Sequence, residues 1–342
     1  MFHCNLRAVK VKKILIVRYS SMGDIVLTSP VYRCLKLKYP EIEIHVLVKS
    51  NFAFIHSKNP YINKVWETSG SGLELIEKLQ NESFDFVADL QNNSKSNALV
   101  SALRVTSQKL EKHNVKKWFQ VVFNIQSIQI PHIVQRYIQV FDLLGLELDD
   151  EGLDFFLPKE NEFAGELFQS DFARENTIVI VVGGAHEGKK WSPERFQDLL
   201  RLLKDQGVVL IGGKEDEYPF ELENNQLNLI GKCSVFQSAQ IVANSEVVIT
   251  GDTGMMHIAA ALKKNIISLW GCTTPSLGMH VFRGKGMVGA NLHTVTIQSK
   301  RTLRPCSKLG NRCKYGMNNK CIDVIQAADV YEALLHLQKQ KV

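Results

Sequence analysis

Two doubly wound α/β domains, each on a parallel sheet, are the fold this sequence predicts. Three observations point there. Short apolar, β-like runs alternate with helical segments from Lys13 to Leu144, the pattern of a parallel sheet covered on both faces. That alternation breaks over a charged, irregular stretch and restarts at Thr177. The 342 residues are enough for two separate cores.

In the first series, KILIVR (Lys13–Arg18) reads as a buried strand and Tyr19–Gly23 as a turn. Asp24–Lys38 is helical, kinked or restarted at Pro30 because proline lacks the amide donor. Glu43–Val48 and Phe84–Ala88 are strands, and Leu73–Gln80 and Ser94–Leu103 are helices. His132–Leu144 is an amphipathic helix stopped by Gly145, which tolerates the left-handed position after a helix. Asp149–Gly152 and Pro158–Phe172 form the linker.

The second series opens with the strand Thr177–Val182 and the helix Pro193–Gln206, with Ser192 as N-cap and Pro193 in the first helical position. Strand Val208–Ile211 ends in Gly212-Gly213, and helix Val235–Asn244 follows. Val247–Thr250 is a strand broken by Gly251-Asp252-Thr253-Gly254. The apolar helix Met255–Leu262, the strand Ile266–Trp270 and a last helix, Ile325–Gln338, complete the chain. The expected domains are 1–158 and 159–324, with 325–342 as a C-terminal helix.

No apolar run reaches the roughly 18–20 residues of a membrane span, and the N-terminus lacks the organisation of a cleavable signal. A cytoplasmic protein is expected. The seven cysteines are an odd number and read as reduced thiols. Net charge is +6, and residues 1–150 carry most of the excess, with 19 Lys/Arg against 14 Asp/Glu. That asymmetry suits an anionic partner for the N-terminal half, or plain solvated lysines. Nucleic acid is not expected, because basic and aromatic residues are not interleaved.

Four turns at strand ends can carry chemistry, since ligands of open α/β sheets bind at the carboxyl ends of strands. Arg18–Asp24 follows the first strand without a G-x-G-x-x-G pattern or a P-loop lysine, so no standard phosphate cradle is expected. Asp24 is either a helix-start carboxylate or a general base. Gly183-Gly184 with Lys189 and Lys190 is either a diphosphate-neutralising loop or a flexible basic one. Trp191 reads as a core cap. Glu215–Glu217 is either a ribose-binding carboxylate turn or a solvated one. Gly251–Gly254 places small residues and the free amides of a helix start toward an anion, with Asp252 or Thr253 as the cap. Thr253 and His257 share one helix face, where His257 orders the loop rather than moving protons. Cys306-x6-Cys313-x7-Cys321 matches no common zinc spacing and lacks a fourth ligand, for which His293 or Cys272 are the candidates.

Taken in order, these pieces resemble glycosyltransferase family 9, the lipopolysaccharide core heptosyltransferases. KILIVRYSSMGDIVLTSPVYRCLKLKYP resembles the family's N-terminal signature, KKWSPERF its K-x-W-x-x-E-x-F element, and GDTGMMHIAAALKKNIISLWGCTTP its D-[ST]-G-x-x-H-x-A-x-A…G-x-T-x-P motif. The tail RPCSKLGNRCKYG is similar to a cysteine-containing tail of many members. The matches run from about Lys13 to Cys321.

The resemblance implies a GT-B fold, two Rossmann-like domains facing across a cleft, and an inverting transferase that needs no metal and no other cofactor. It implies transfer of heptose from ADP-heptose to an anionic lipopolysaccharide inner-core acceptor. Asp24 matches the general base, with Ser20, Ser21 and Gly23 on the acceptor side. Gly183, Gly184, Lys189, Glu215, Asp252, Thr253, Gly254, Met255 and His257 match the donor side. The loop before Lys189 lacks the hydroxyl residues often found there. Lys116–Ile130 is apolar with a basic lead, and either touches a lipid-linked acceptor or the membrane surface or is a mobile loop that packs on the N-terminal domain, the latter being slightly favoured. A monomer is expected, with peripheral contact at the cytoplasmic face of the inner membrane an option. The readings set beside this one are a GT-B-like nucleotide-sugar epimerase and a non-catalytic relative that binds sugar nucleotide or oligosaccharide.

Overall fold

The structure, a computed structural model, describes residues 11–68, 72–125, 127–158, 177–285 and 292–340. Most of the expected linker, from residue 159 on, lies outside the described residues. Among the described residues the chain forms two compact units. One runs to Lys112 and resumes at Ile133–Asp149, and the other takes His113–His132 and everything from Asp150 on.

The N-terminal unit is built from β1 (Lys13–Val17), α1 (Met22–Val26), α2 (Ser29–Lys38), β2 (Glu43–Val48), β3 (Lys64–Glu67), α3 (Gly72–Asn81), β4 (Phe86–Asp89), α4 (Ser94–Leu103) and β5 (Ser107–Lys109). The helix α5 (Asn114–Phe123) belongs to the other unit, and α6 (Ile133–Gln139) returns to this one. All strands pair in parallel in the order β3-β2-β1-β4-β5. Ile14–Val17 are fully buried because β1 is central and covered on both faces. One face packs Leu15 and Val17 with Leu79, Leu99 and Leu103 of α3 and α4.

The helix after β1 is indeed broken. Pro30 sits in the first turn of α2, Thr28 is its N-cap, and the Thr28 hydroxyl donates to the Ile25 carbonyl at 2.6 Å. The amphipathic stretch His132–Leu144 is shorter than its periodicity predicts: α6 ends at Gln139, and a separate 3-10 turn (Asp142–Leu144) leads to Gly145 at φ 58°.

The C-terminal unit holds β6 (Thr177–Val181), α7 (Pro193–Leu202), β7 (Val208–Ile211), β8 (Gln226–Asn228), α8 (Val235–Ala243), β9 (Ser245–Gly251), α9 (Gly254–Ala261), β10 (Asn265–Trp270), β11 (Thr294–Gln298) and α10 (Ala327–Lys339). Its parallel sheet runs β11-β10-β9-β6-β7-β8, which in its own order is the dinucleotide-fold arrangement 3-2-1-4-5-6. Leu334 and Leu337 of α10 share one core with Phe196, Leu199 and Leu200 of α7 and Ile178 and Ile180 of β6, so the last helix is part of this unit.

Lys116–Ile130 packs on the C-terminal unit, contrary to the expectation that it packs on the N-terminal domain. The Gln120 amide is fully buried and donates to Ile128 and, at 3.2 Å, to the Ser276 carbonyl. Lys314 donates to the Val121 carbonyl at 2.5 Å and Lys308 to that of Asn114 at 3.3 Å. Its apolar residues do not decide the docking; a buried amide and carbonyl caps do.

Candidate functional site

In each sheet the strand order reverses once, between β1 and β4 in the N-terminal unit and between β6 and β9 in the C-terminal one. Crossovers on opposite faces leave a crevice there; of the turns the sequence singles out, the N-terminal crevice receives Arg18–Asp24 and the C-terminal one receives Gly183–Lys190 and Gly251–Gly254.

In the N-terminal unit the turn after β1 carries Arg18–Asp24. Arg18 Nη2 lies 2.7 Å from Asp24 Oδ1, and Ser21 donates to Oδ2 through its amide at 3.1 Å and its hydroxyl at 2.8 Å. Tyr137 of α6 donates its hydroxyl to Oδ1 at 3.4 Å. A fifth of the Asp24 side chain stays exposed. Burial works to raise this carboxyl, but the Arg18 charge and the Ser21 hydrogen bonds outweigh it, so Asp24 is held below the usual carboxylate range. The helix start contributes less than expected, because α1 is only five residues long.

The turn after β4 props this loop. Leu90 accepts Arg18 Nη1 at 2.6 Å, and Gln91 Oε1 accepts the Tyr19 amide at 3.0 Å. Buried Asp89 fixes that turn by accepting from the Gln91 and Asn92 amides and the Ser96 hydroxyl. Lys112 and Arg136 stand close enough to Asp24 for the charges to act on one another; burial, with the Arg18 charge adding, lowers the Lys112 ammonium. The N-terminal site is thus an ionised carboxylate among cations. Ser20, Ser21 and Gly23 form its backbone. Arg18, Lys112, Arg136 and Tyr137 are partners that no local pattern marks, although a charged residue ending an apolar strand, as in KILIVR, is a signal for Arg18.

In the C-terminal unit β6 delivers Gly183, Gly184 and Lys189, and β9 delivers Asp252, Thr253 and Gly254. Lys189 Nζ lies 2.7 Å from Asp252 Oδ2, which also accepts the Thr273 hydroxyl at 2.9 Å. Thr253, not Asp252, caps α9: its Oγ1 accepts the Met256 amide at 3.3 Å and meets the Thr250 hydroxyl at 3.0 Å. Asp252 is thereby free to hold the lysine. Met255 and His257 are buried in α9. Trp191 is in the core, as its sequence context predicts, donating to the Ile325 carbonyl at 3.2 Å.

The acidic turn after β7 divides its roles. Asp216 Oδ1 pairs with Lys190 Nζ at 2.9 Å, while Glu215 is exposed beside Gly213. Gly183 has φ +97°, and a Cβ there would lie 2.0 Å from the Asp216 carboxylate, so only glycine lets the two turns meet.

A sequence model of glycosyltransferase family 9 (heptosyltransferase) matches residues 73–302. The chain is 28% identical over 290 residues to the lipooligosaccharide heptosyltransferase 2 of Haemophilus influenzae, covering 77% of this chain and 84% of that one. Among solved structures it is similar to a family 9 glycosyl transferase from Veillonella parvula, with a TM-score of 0.74 and 18% identity over 97% of this chain and 99% of that one. It is also similar to the E. coli ADP-heptose lps heptosyltransferase II, with a TM-score of 0.70 and 20% identity over 96% and 99% of the two chains.

The Arg18–Asp24 pair sets a pH signature. Asp24 takes up a proton only when pH falls through its depressed pKa, below the ordinary value of about 3.9. Removing the Arg18 charge leaves burial to raise that pKa. Arg18→Met should therefore move the acid limb of the kcat/KM profile to higher pH, with circular dichroism confirming the fold. An unmoved limb in a folded variant would show that Arg18 does not set the ionisation of Asp24.

Proposed function

The chain belongs to glycosyltransferase family 9, and from that premise we propose that it moves a heptose from ADP-heptose to an anionic lipopolysaccharide inner-core acceptor, with inversion and with no metal ion at the donor diphosphate. The two doubly wound units are the GT-B fold, and the enzyme is a glycosyltransferase. The heptosyl donor is supported by what the relatives are named for. The observation that carries the reading is the Lys189 ammonium held on Asp252 at the start of α9.

A diphosphate leaving group gathers negative charge as its bond to the sugar breaks. Lys189 and the free amides of Gly254 and Met255 offer fixed positive charge for it, the role a divalent ion plays elsewhere. Asp252 pre-positions the ammonium and offers its second carboxylate oxygen to sugar hydroxyls. Thr273 keeps that carboxylate oriented. The exposed Glu215 suits ribose hydroxyls, while the Lys190–Asp216 pair ties its turn to Gly183.

On the acceptor side a hydroxyl oxygen attacks the anomeric carbon. The carbon–oxygen bond to the diphosphate breaks with its electron pair going to the phosphate, and the hydroxyl proton passes to Asp24. Because Arg18 makes Asp24 a weak base, the proton moves late, once bond formation has made the attacking oxygen acidic. Arg18, Lys112 and Arg136 give the acceptor's carboxylate or phosphate groups a cationic surround.

The proposed working place rests on α5. Trp118 is 50% exposed, and Val115, Phe119, Val122 and Phe123 are exposed with it beside Lys116. Among the described residues no helix is long and apolar enough to cross a membrane. An aromatic face with a basic lead suits the surface of an anionic bilayer, here the cytoplasmic face that carries the acceptor.

Asp24→Asn should bind ADP-heptose normally by calorimetry while transfer falls about 10²–10⁴-fold, the usual worth of a general base. Lys189→Ala should weaken donor binding or slow leaving-group departure. Near-normal transfer by Asp24→Asn would remove it as the base, and donor turnover without acceptor would favour an epimerase. In the same assay, leaving out Mg²⁺ should leave turnover unchanged; a strict requirement would refute metal independence. Vesicles containing phosphatidylglycerol should carry the protein upward in a flotation gradient, and Trp118→Ser with Phe119→Ser should abolish this. Equal flotation of the double variant would rule out α5 as the contact.

A further inference from the structure

Four cysteines from separate parts of the sequence meet in the C-terminal unit. Cys272 follows β10, and Cys306, Cys313 and Cys321 come from the tail before α10. Their Sγ atoms all lie within 4.8 Å of one another, with Cys306 to Cys321 at 3.6 Å and Cys313 to Cys321 at 3.7 Å. Four sulfurs on one tetrahedral ion, at metal–sulfur distances of about 2.3 Å, are about 3.8 Å apart. The spacing is that of a four-thiolate cage and is far longer than the ~2.05 Å of a disulfide. We propose that Cys272, Cys306, Cys313 and Cys321 bind one thiophilic divalent transition-metal ion, of the zinc or ferrous type, and that this ion braces the loops bearing Lys189 and Asp252.

The surroundings fit such a centre. Cys272 and Cys321 are fully buried and Cys306 nearly so. The Cys306–Cys321 segment is rich in Lys, Asn and Gly, and among the described residues Tyr315 is the apolar side chain that packs on the cysteine cluster. Ordering each such residue costs backbone entropy, and there is little apolar burial here to offset it. A metal cross-link supplies what that core lacks. Four thiolates around a divalent ion make a doubly negative complex. Arg304 is buried next to it, donating to the carbonyls of Gly271, Ser299, Trp270 and Thr273 at 2.5 to 3.1 Å. Its four hydrogen bonds fix the backbone on both sides of Cys272.

The cage reaches the donor site by two short routes. Cys272 adjoins Thr273, whose hydroxyl holds Asp252. Gly188, adjoining Lys189, exchanges hydrogen bonds with the cage loops: its amide donates to the Gly310 carbonyl at 2.9 Å, and its carbonyl accepts the Cys272 amide at 3.4 Å. Gly310, at φ +82°, lies so close to the Lys189 stem that a Cβ would come within 2.6 Å of its Cγ. The tail also carries Lys308 and Lys314, which hold the two ends of α5. These cysteines act by position; none is placed to touch the reacting atoms.

The test is elemental analysis of the full chain, produced in zinc-supplemented and in iron-supplemented medium. The expected result is about one ion per chain, with Co(II) exchange giving the sulfur-to-cobalt charge-transfer bands of a tetrathiolate. Zinc gives a colourless protein and iron one that becomes coloured when air oxidises the ferrous ion to ferric, and either supports the cage. Cys321→Ser and Cys306→Ser should lose the ion while Cys233→Ser keeps it. Metal-free folded protein from both media, or full metal retention in Cys321→Ser, overturns the proposal. The bracing role rests on the donor reading and is read by ADP calorimetry. Wild-type protein stripped with a mercurial reagent should bind ADP at least tenfold more weakly and recover with Zn²⁺; unchanged affinity overturns the brace while leaving the cage. Wild-type protein that holds the ion but does not bind ADP counts against the donor reading alone.

Discussion

A parallel sheet buried on both faces has one kind of place where polar chemistry can gather, the carboxyl ends of its strands at the point where the strand order reverses. Everything functional in this chain follows from that constraint, imposed twice. The central strands β1, β6, β9 and β10 are nearly solid hydrophobic runs because both faces are covered. Charged residues are thereby pushed to the strand ends, and the crossovers bring two such ends together in each unit. Arg18–Asp24 meets Asp89–Gln91 in one, and Gly183–Lys190 meets Asp252–Gly254 in the other.

Each meeting is settled by a shielded ion pair. Removing one partner of such a pair costs on the order of 3–5 kcal/mol, because the other is left buried and uncompensated. That cost keeps the Asp24 carboxylate ionised on Arg18 and keeps the Lys189 ammonium extended on Asp252. In the proposed reaction the two pairs prepare opposite chemistry, an anion that can take a proton and a cation that can take a leaving group's charge. Orientation is thus fixed at folding rather than when substrate arrives.

Much of the fold was legible in the residues. Central strands and their helices announce themselves because burial on both faces demands an unbroken apolar run, and helices carry their own caps and prolines. Edge strands did not announce themselves: β3, β5 and β11 are short and half-exposed, so no periodicity separates them from loop. α6 read too long because the register of apolar residues continues past the point where its backbone breaks. The docking of Lys116–Ile130 on the C-terminal unit is not legible locally, because it depends on Gln120 and on lysines nearly two hundred residues away.

The sequence by itself determined the two-sheet architecture, the strand-end turns and the family, since each is encoded in contiguous residues whose spacing is a local property. Only the tertiary structure decided the partnerships. Thr253 caps the helix and Asp252 is left to hold Lys189; Asp216 rather than Glu215 takes Lys190; four scattered cysteines become one cluster. The physical reason is range. Backbone propensity and hydrophobic period act over a few residues, whereas a charge or a thiol is satisfied by whatever the folded chain places within a few ångströms, irrespective of its distance along the sequence.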